Sequence, residues 1–178
     1  RAEYTMKNIG LDYIDLYLIH APWPWSEIGA DYTKENIEVW KAMEEFHESG
    51  KTRSIGISNF NVKDMEAILE TCRIRPMVNQ VKLHIGHRQE EITGFCSKNN
   101  ILVEGYSPLA TGRILGNGEI SRIAAKYGKS VAQVSVRYVL QKGALPLPKS
   151  VHPEYIRQNF DINFDISEDD IRFLDNLK

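Results

Sequence analysis

Five polar signatures punctuate this sequence, each at the end of a short apolar run: His20, Ser58-Asn59, Asn79-Gln80, Tyr106-Ser107 and Lys149-Ser150. Histidine changes charge near neutrality. A short hydroxyl and amide side by side offer donors and acceptors together. In parallel α/β proteins the carboxyl ends of strands are where such groups do chemistry. Each residue alone also has a plainer reading. His20 can be a core histidine bonded to backbone, and Ser58-Asn59 a turn that starts a helix. Gln80 can be a hydrogen bonder in a barrel lumen, Tyr106 a core aromatic, and Lys149 a solvated charge. His84-x-x-His87 with Glu90 invites a metal, but the spacing fixes no strong third ligand, so no metal site is assigned. Trp23 and Trp25, just past His20, can line an apolar substrate pocket or pack as a loop over a barrel mouth.

The elements that must position these groups alternate. Tyr13 to His20 reads as a short strand, so apolar that both faces should be covered. Before it, residues 2–9 read as a helix with Met6 and Ile9 facing in and Gly10 stopping it. A helix with Ile37, Trp40, Met43 and Phe46 on one face ends at Gly50. Arg53 to Ile57 is a second strand. Asn61 caps the next helix, with Asp64 three positions on and Val62, Met65, Ile68, Leu69 and Cys72 on one face. Met77 to Val81 is a third strand, Gln89 to Lys98 a helix, and Ile101 to Tyr106 a fourth strand before a Gly-rich loop. Two helices follow, one with Ile120, Ile123, Ala124 and Tyr127, the other opened by the capping box Ser130-x-x-Gln133. Leu145 to Pro148 is a short fifth strand, where Pro146 suits an edge. In the last helix Ser167 is the cap, Asp170 should complete a capping box, and Ile166 can staple to Ile171.

Alternation of this kind implies a parallel sheet with right-handed crossovers. No G-x-G-x-x-G follows a strand, which argues against a doubly wound dinucleotide fold. Polar residues at every strand end follow barrel logic instead. The chain of 178 residues is 42% hydrophobic and 26% charged, which suits one domain, 1–178, with a real core. A net charge of −2 gives no basic excess for nucleic acid. No apolar run approaches the roughly 20 residues of a membrane helix. Cys72 and Cys96, each in a helix-like segment, read as reduced core thiols, which favours a cytoplasmic setting. The opening Arg1-Ala2-Glu3, without methionine or signal-peptide pattern, hints at a missing N-terminus.

The sequence resembles the aldo-keto reductase family over essentially its whole length. The resemblance is carried by the run from Gly10 to His20 (GLDYIDLYLIH) and by Gly50-Lys51-x-Arg53-Ser54-Ile55-Gly56-Ile57-Ser58-Asn59-Phe60. It continues in Asn79-Gln80-Val81, Tyr106-Ser107-Pro108-Leu109 and Pro148-Lys149-Ser150-Val151, in this order. It implies an α/β fold, a (β/α)8 TIM barrel, of which about five of the eight strands are present here. It implies carbonyl reduction by hydride transfer from a nicotinamide cofactor. His20 matches the family's catalytic histidine. The Asp-Thr-Ala-x-x-Tyr segment and the following lysine, which carry the rest of the catalytic set, are not found. The chain by itself is therefore expected to be inactive. By the same resemblance Ser58, Asn59 and Gln80 bond the nicotinamide carboxamide and Tyr106 stacks on the ring. Ser107 and Leu109 lie along the pyrophosphate. Lys149, Ser150 and Val151 hold the ribose and its 2′-phosphate, and Asn159 approaches the adenine. Of the two readings of the loop after His20, the pocket reading makes Trp23 a substrate-pocket residue. Where the family often has a phosphate-binding arginine, this chain has Tyr155, with Arg157 near in sequence. A guanidinium grips phosphate bidentately and a phenol does not. NADPH is the expected cofactor, with NADH less excluded.

The first expectation is thus an oxidoreductase that reduces aldehydes or ketones, with a small carbonyl substrate, no nucleic-acid or membrane partner, and a monomeric state at full length. The alternative is a non-catalytic truncated barrel, a cofactor-binding or assembly module whose open strand edges self-associate. A cofactor-sensing regulatory subunit is a third class that no residue here demands.

Overall fold

The computed structural model describes residues 2–177. The chain forms two compact units. One gathers the residues up to Gln80 together with Phe95–Ile101; the other gathers Val81–Gly94 and the residues from Leu102 on.

In the first unit α1 (Ala2–Ile9), β1 (Ile14–Ile19), α2 (Thr33–Glu48), β2 (Thr52–Ser58), α3 (Val62–Leu69) and β3 (Val78–Lys82, through Gln80) alternate. The end of α4 (Glu90–Lys98) belongs to it as well. β1, β2 and β3 lie side by side and parallel, with Ile19 opposite Ile57 and Ser58 opposite Gln80. Trp40, Ile55, Ile57, Phe60, Met65, Ile68 and Cys96 are fully buried between strands and helices. Gly56 is required by that packing. A Cβ there would lie 2.6 Å from the Val78 carbonyl oxygen and 2.7 Å from the Leu18 side chain. The turn after α3 is held by Glu44, a buried carboxylate of α2. It accepts from the N–H groups of Arg73 (2.6 Å) and Ile74 (2.8 Å) and pairs with the Arg73 guanidinium.

In the second unit β4 (Leu102–Tyr106) and β5 (Ala144–Leu147) pair in parallel, Gly105 opposite Pro146. α5 (Gly118–Lys126), α6 (Val131–Gln141), α7 (Pro153–Phe160) and α8 (Glu168–Asp175) complete the unit. Val103, Ile120, Ile123, Val134, Tyr138, Val139 and Leu174 form its core. Gly105 again marks a close approach, since a Cβ would stand 2.8 Å from the Val139 side chain. Two carboxylates, Asp170 buried and Asp175 half-buried, lock α8 down. Asp170 accepts from Lys126 Nζ (2.5 Å) and Tyr127 (2.7 Å), and Asp175 from Tyr138 (2.6 Å) and Lys142 Nζ (3.0 Å).

The elements and their order match the sequence reading, and both capping boxes on α3 and α6 form as read. Four details differ. Met6 of α1 is buried, but Ile9, the helix's last residue before the turn at Gly10, is exposed. β1 is half-buried rather than covered on both faces, because β2 is its one strand neighbour among the described residues. Cys72 sits half-buried beyond the end of α3, not on the helix. Asp170 does not close a capping box: Ser167 accepts from its N–H, but the Asp170 carboxylate turns to Lys126 and Tyr127, which offer stronger donors. Beyond these, His84 and His87 bridge through their backbones in the turn after β3.

Candidate functional site

In the first unit His20 follows the last residue of β1 and is exposed, so it is not the buried core histidine of the plainer reading. The loop after it is anchored by Asn36 of α2, whose Nδ2 donates to the Pro22 carbonyl (2.9 Å). Trp25 stands edge-on to the His20 ring at 5.5 Å and Trp23 edge-on to Trp25 at 5.2 Å. Ser58, buried at the end of β2, donates its hydroxyl to the Gln80 carbonyl at 2.8 Å. The Asn59 N–H donates to the same oxygen at 2.9 Å. Asn59 Nδ2 donates to the His20 carbonyl (3.0 Å) and to Ser58 Oγ (3.1 Å). Asn59 has a φ of 62°, a left-handed conformation that asparagine tolerates better than most residues. His20, Ser58, Asn59 and Gln80 thus form one bonded group at the ends of β1, β2 and β3. The turn does start a helix, as the plainer reading had it, but through Asn61, leaving Ser58 and Asn59 to tie three strand ends together.

In the second unit a cleft of about 760 Å³ is lined by residues from the loop after β4, the N-terminus of α6, the end of β5 and α7. Ser107, Leu109, Lys149, Ser150, Val151 and Asn159 all line it. The loop after β4 is unusual. Ser107, Ala110 and Thr111 have φ values of 54°, 49° and 57°, a conformation β-branched threonine rarely adopts. Bonds from Ala110 N to Ser107 O (2.8 Å), Gly112 N to Leu109 O (2.8 Å) and Thr111 Oγ1 to Ala110 O (2.6 Å) hold it. Backbone strain of this kind concentrates at ligand clamps. Ser150 Oγ accepts the His152 N–H at 3.1 Å, which fixes the entry to α7. Lys149 is exposed and is the only lysine or arginine among the lining residues.

Tyr106 is half-buried, which pushes its phenol up from the ordinary tyrosine range, and its carbonyl accepts from Leu83 N–H at 3.2 Å. It does not line the cleft. Tyr155 does, and it carries the His152 ring edge-on at 5.3 Å. Arg157 does not; it borders a neighbouring apolar hollow formed with Leu145, Ile156 and Phe160. Thr111 and Gln158 also line the cleft and were not singled out in the sequence, where neither sits at a strand end. His84 is buried with Nδ1 bonded to the Ile85 carbonyl (2.7 Å), and burial lowers its pKa. Among the described residues no three His, Cys, Asp or Glu side chains are grouped to hold a metal, and no helix is long and apolar enough to cross a membrane.

Parallel strands alternating with helices, with polar groups gathered at strand ends, define a class of α/β barrel enzymes. The match is specific: the model of the Aldo/keto reductase family covers residues 1–178, and the chain belongs to that family. It is 42% identical over 176 residues to a glyoxal reductase of Bacillus subtilis, covering 98% of this chain and 60% of that protein. It is 40% identical over 179 residues to a 9,11-endoperoxide prostaglandin H2 reductase of Trypanosoma cruzi, covering 98% of this chain and 60% of that protein. Among solved structures, an aldo/keto reductase from Brucella melitensis superposes with a TM-score of 0.89 at 36% identity, covering 99% of this chain and 65% of the other. An aldo-keto reductase complexed with NADPH superposes with a TM-score of 0.86 at 30% identity, covering 98% of this chain and 57% of the other. The chain spans about 60% of the length of the curated relatives it matches. The fold is accordingly part of a (β/α)8 barrel.

Proposed function

We propose that this chain is the cofactor-binding, histidine-bearing portion of an oxidoreductase that reduces aldehydes or ketones with NADPH. The observation that carries the reading is the second-unit cleft. It gathers six of the seven residues of that unit to which the family resemblance gives a cofactor role.

The donor set fits a phosphorylated nucleotide. Lys149 offers an ammonium to the 2′-phosphate, Ser107 and Ser150 offer hydroxyls, and Asn159 offers an amide to the adenine. By the family resemblance Ser58, Asn59 and Gln80 are the groups that would bond the carboxamide, and Tyr106 would stack on the ring. When bound, reduced nicotinamide supplies a hydride to the carbonyl carbon. His20 would hold the carbonyl oxygen with a ring N–H as negative charge built on it, the proton that completes the alcohol coming from the family's tyrosine, which is not found in this chain. Losing one preorganised donor of that kind costs roughly 2.7–4 kcal/mol of transition-state stabilisation. The indoles of Trp23 and Trp25 beside His20 provide an apolar wall for the substrate. The free thiols Cys72 and Cys96 suit a reducing cytoplasm.

Calorimetric titration of the chain with NADPH, NADH and 2′,5′-ADP tests this. NADPH and 2′,5′-ADP should bind, and NADH more weakly. Lys149→Ala should weaken NADPH by about tenfold, the value of one charge-assisted contact, and leave NADH nearly unchanged. Absence of heat with all three ligands would overturn the reading.

A further inference from the structure

We infer that Asn79 is a positioning residue for the Ser58-Asn59 pair, acting through the Phe60 carbonyl; this rests on the cofactor role proposed for that pair. Asn79 and Gln80 are neighbours in β3, so their side chains leave on opposite faces. Gln80 is half-buried, and its carbonyl takes the bonds from Ser58 and Asn59. Asn79 goes into the helix-covered layer and is 0% exposed. There its Nδ2 donates to the Phe60 carbonyl at 3.0 Å and lies 3.4 Å from Met65 Sδ and 4.0 Å from Cys96 Sγ.

The choice of asparagine here needs a reason. Among the described residues Asn79 Oδ1 is buried without a hydrogen-bond partner. An aliphatic side chain of similar volume would pack against Met65 and Cys96 and bury no amide oxygen of its own. Burying a polar group imperfectly satisfied is unfavourable, so what the position requires is the donor. That donor holds the Phe60–Asn61 peptide, one residue past Asn59, the residue at φ 62°. Gln80 holds the Asn59 N–H from one side and Asn79 holds the Phe60 carbonyl from the other. Consecutive residues of one strand therefore fix both flanks of the left-handed turn. With the turn fixed, Asn59 Nδ2 stays on the His20 carbonyl and Ser58 Oγ. Without the Asn79 donor, the turn is free to relax toward a right-handed conformation and the pair loses its aim.

The test compares NADP⁺ with 2′,5′-ADP, which lacks the nicotinamide, by calorimetry on the full chain. Asn79→Leu should weaken NADP⁺ about tenfold while leaving 2′,5′-ADP within about twofold. Cys96→Ala, a core change that leaves the Phe60 bond intact, should change neither ratio. Unaltered NADP⁺ affinity in Asn79→Leu, or equal loss for both ligands, would overturn the inference while the cofactor reading stands. Failure of the unmutated chain to bind either ligand would remove the cofactor reading and the inference with it. A measurement without mutation covers the case of a poorly folded variant. In ¹⁵N-labelled chain the Asn79 side-chain amide signals should shift with NADP⁺ and not with 2′,5′-ADP; signals unmoved by both would also overturn it.

Discussion

Asn59 meets two demands at once, a left-handed backbone and a short amide that reaches the His20 carbonyl. The two can be separated by substitution. Asn59→Gly keeps the backbone freedom and loses the amide, which should cost about 1 kcal/mol. Asn59→Ala loses both and should cost about 2–3 kcal/mol. Urea unfolding of the two variants measures the difference; equal stabilities would mean that the conformation carries no strain for alanine. At this scale the sequence was informative about identity more than environment. His20, Ser58 and Lys149 could be picked out because their types recur at strand ends in a recognisable order. That Asn79 faces away from Gln80 into the sulfur-lined layer was not legible, since both sit in one polar dipeptide and strand alternation alone does not say which face is covered. The same limit hid Thr111, whose left-handed backbone comes from the loop's own bonds and leaves no trace in residue type.

Among the elements, helix starts were the most legible features because a cap and its partner lie three residues apart. Asn61 with Asp64 and Ser130 with Gln133 need no tertiary information. Ser167 with Asp170 shows where that logic stops, since Lys126 and Tyr127 arrive from elsewhere in the chain to claim the carboxylate. Those donors, Lys126 first and Tyr127 second, hold Asp170 below the usual carboxylate range. A lowered native value stabilises the fold above the unfolded carboxylate pKa of about 3.9, and this is lost as pH falls through the native value. Asp170→Asn should therefore lower the melting temperature at pH 7, with the gap to the unmutated chain closing below about pH 4. A gap that stays constant from neutral to acid pH would argue against the ion pair. The neighbouring lock behaves differently. Burial first, and then the Asp175 carboxylate, push the Tyr138 phenol up, so it remains a neutral donor. Asp175→Ala strands that buried hydroxyl and should cost about 1–3 kcal/mol in denaturant unfolding. Strand packing gives a third case. Gly56→Ala forces a methyl against the Val78 carbonyl and should cost about 1–3 kcal/mol or more, with no cofactor needed to see it.

For the whole molecule, the exposed apolar surface beside β5 and α7 is the feature that most affects handling. Leu145, Ile156 and Phe160 border one hollow, and Phe160 is 89% exposed. Contiguous apolar patches are sticky in water. Sedimentation of the isolated chain should show self-association that Phe160→Ser reduces; a monomer at every concentration would count against the assembly reading carried by the sequence. The tryptophans are distributed just as unevenly. All three, Trp23, Trp25 and Trp40, belong to the first unit, and the second unit has none. Indole emission is therefore a one-sided reporter. It watches the histidine loop and the α2 core. A ligand that reorders the loop after His20 should therefore change that emission directly, through Trp23 and Trp25.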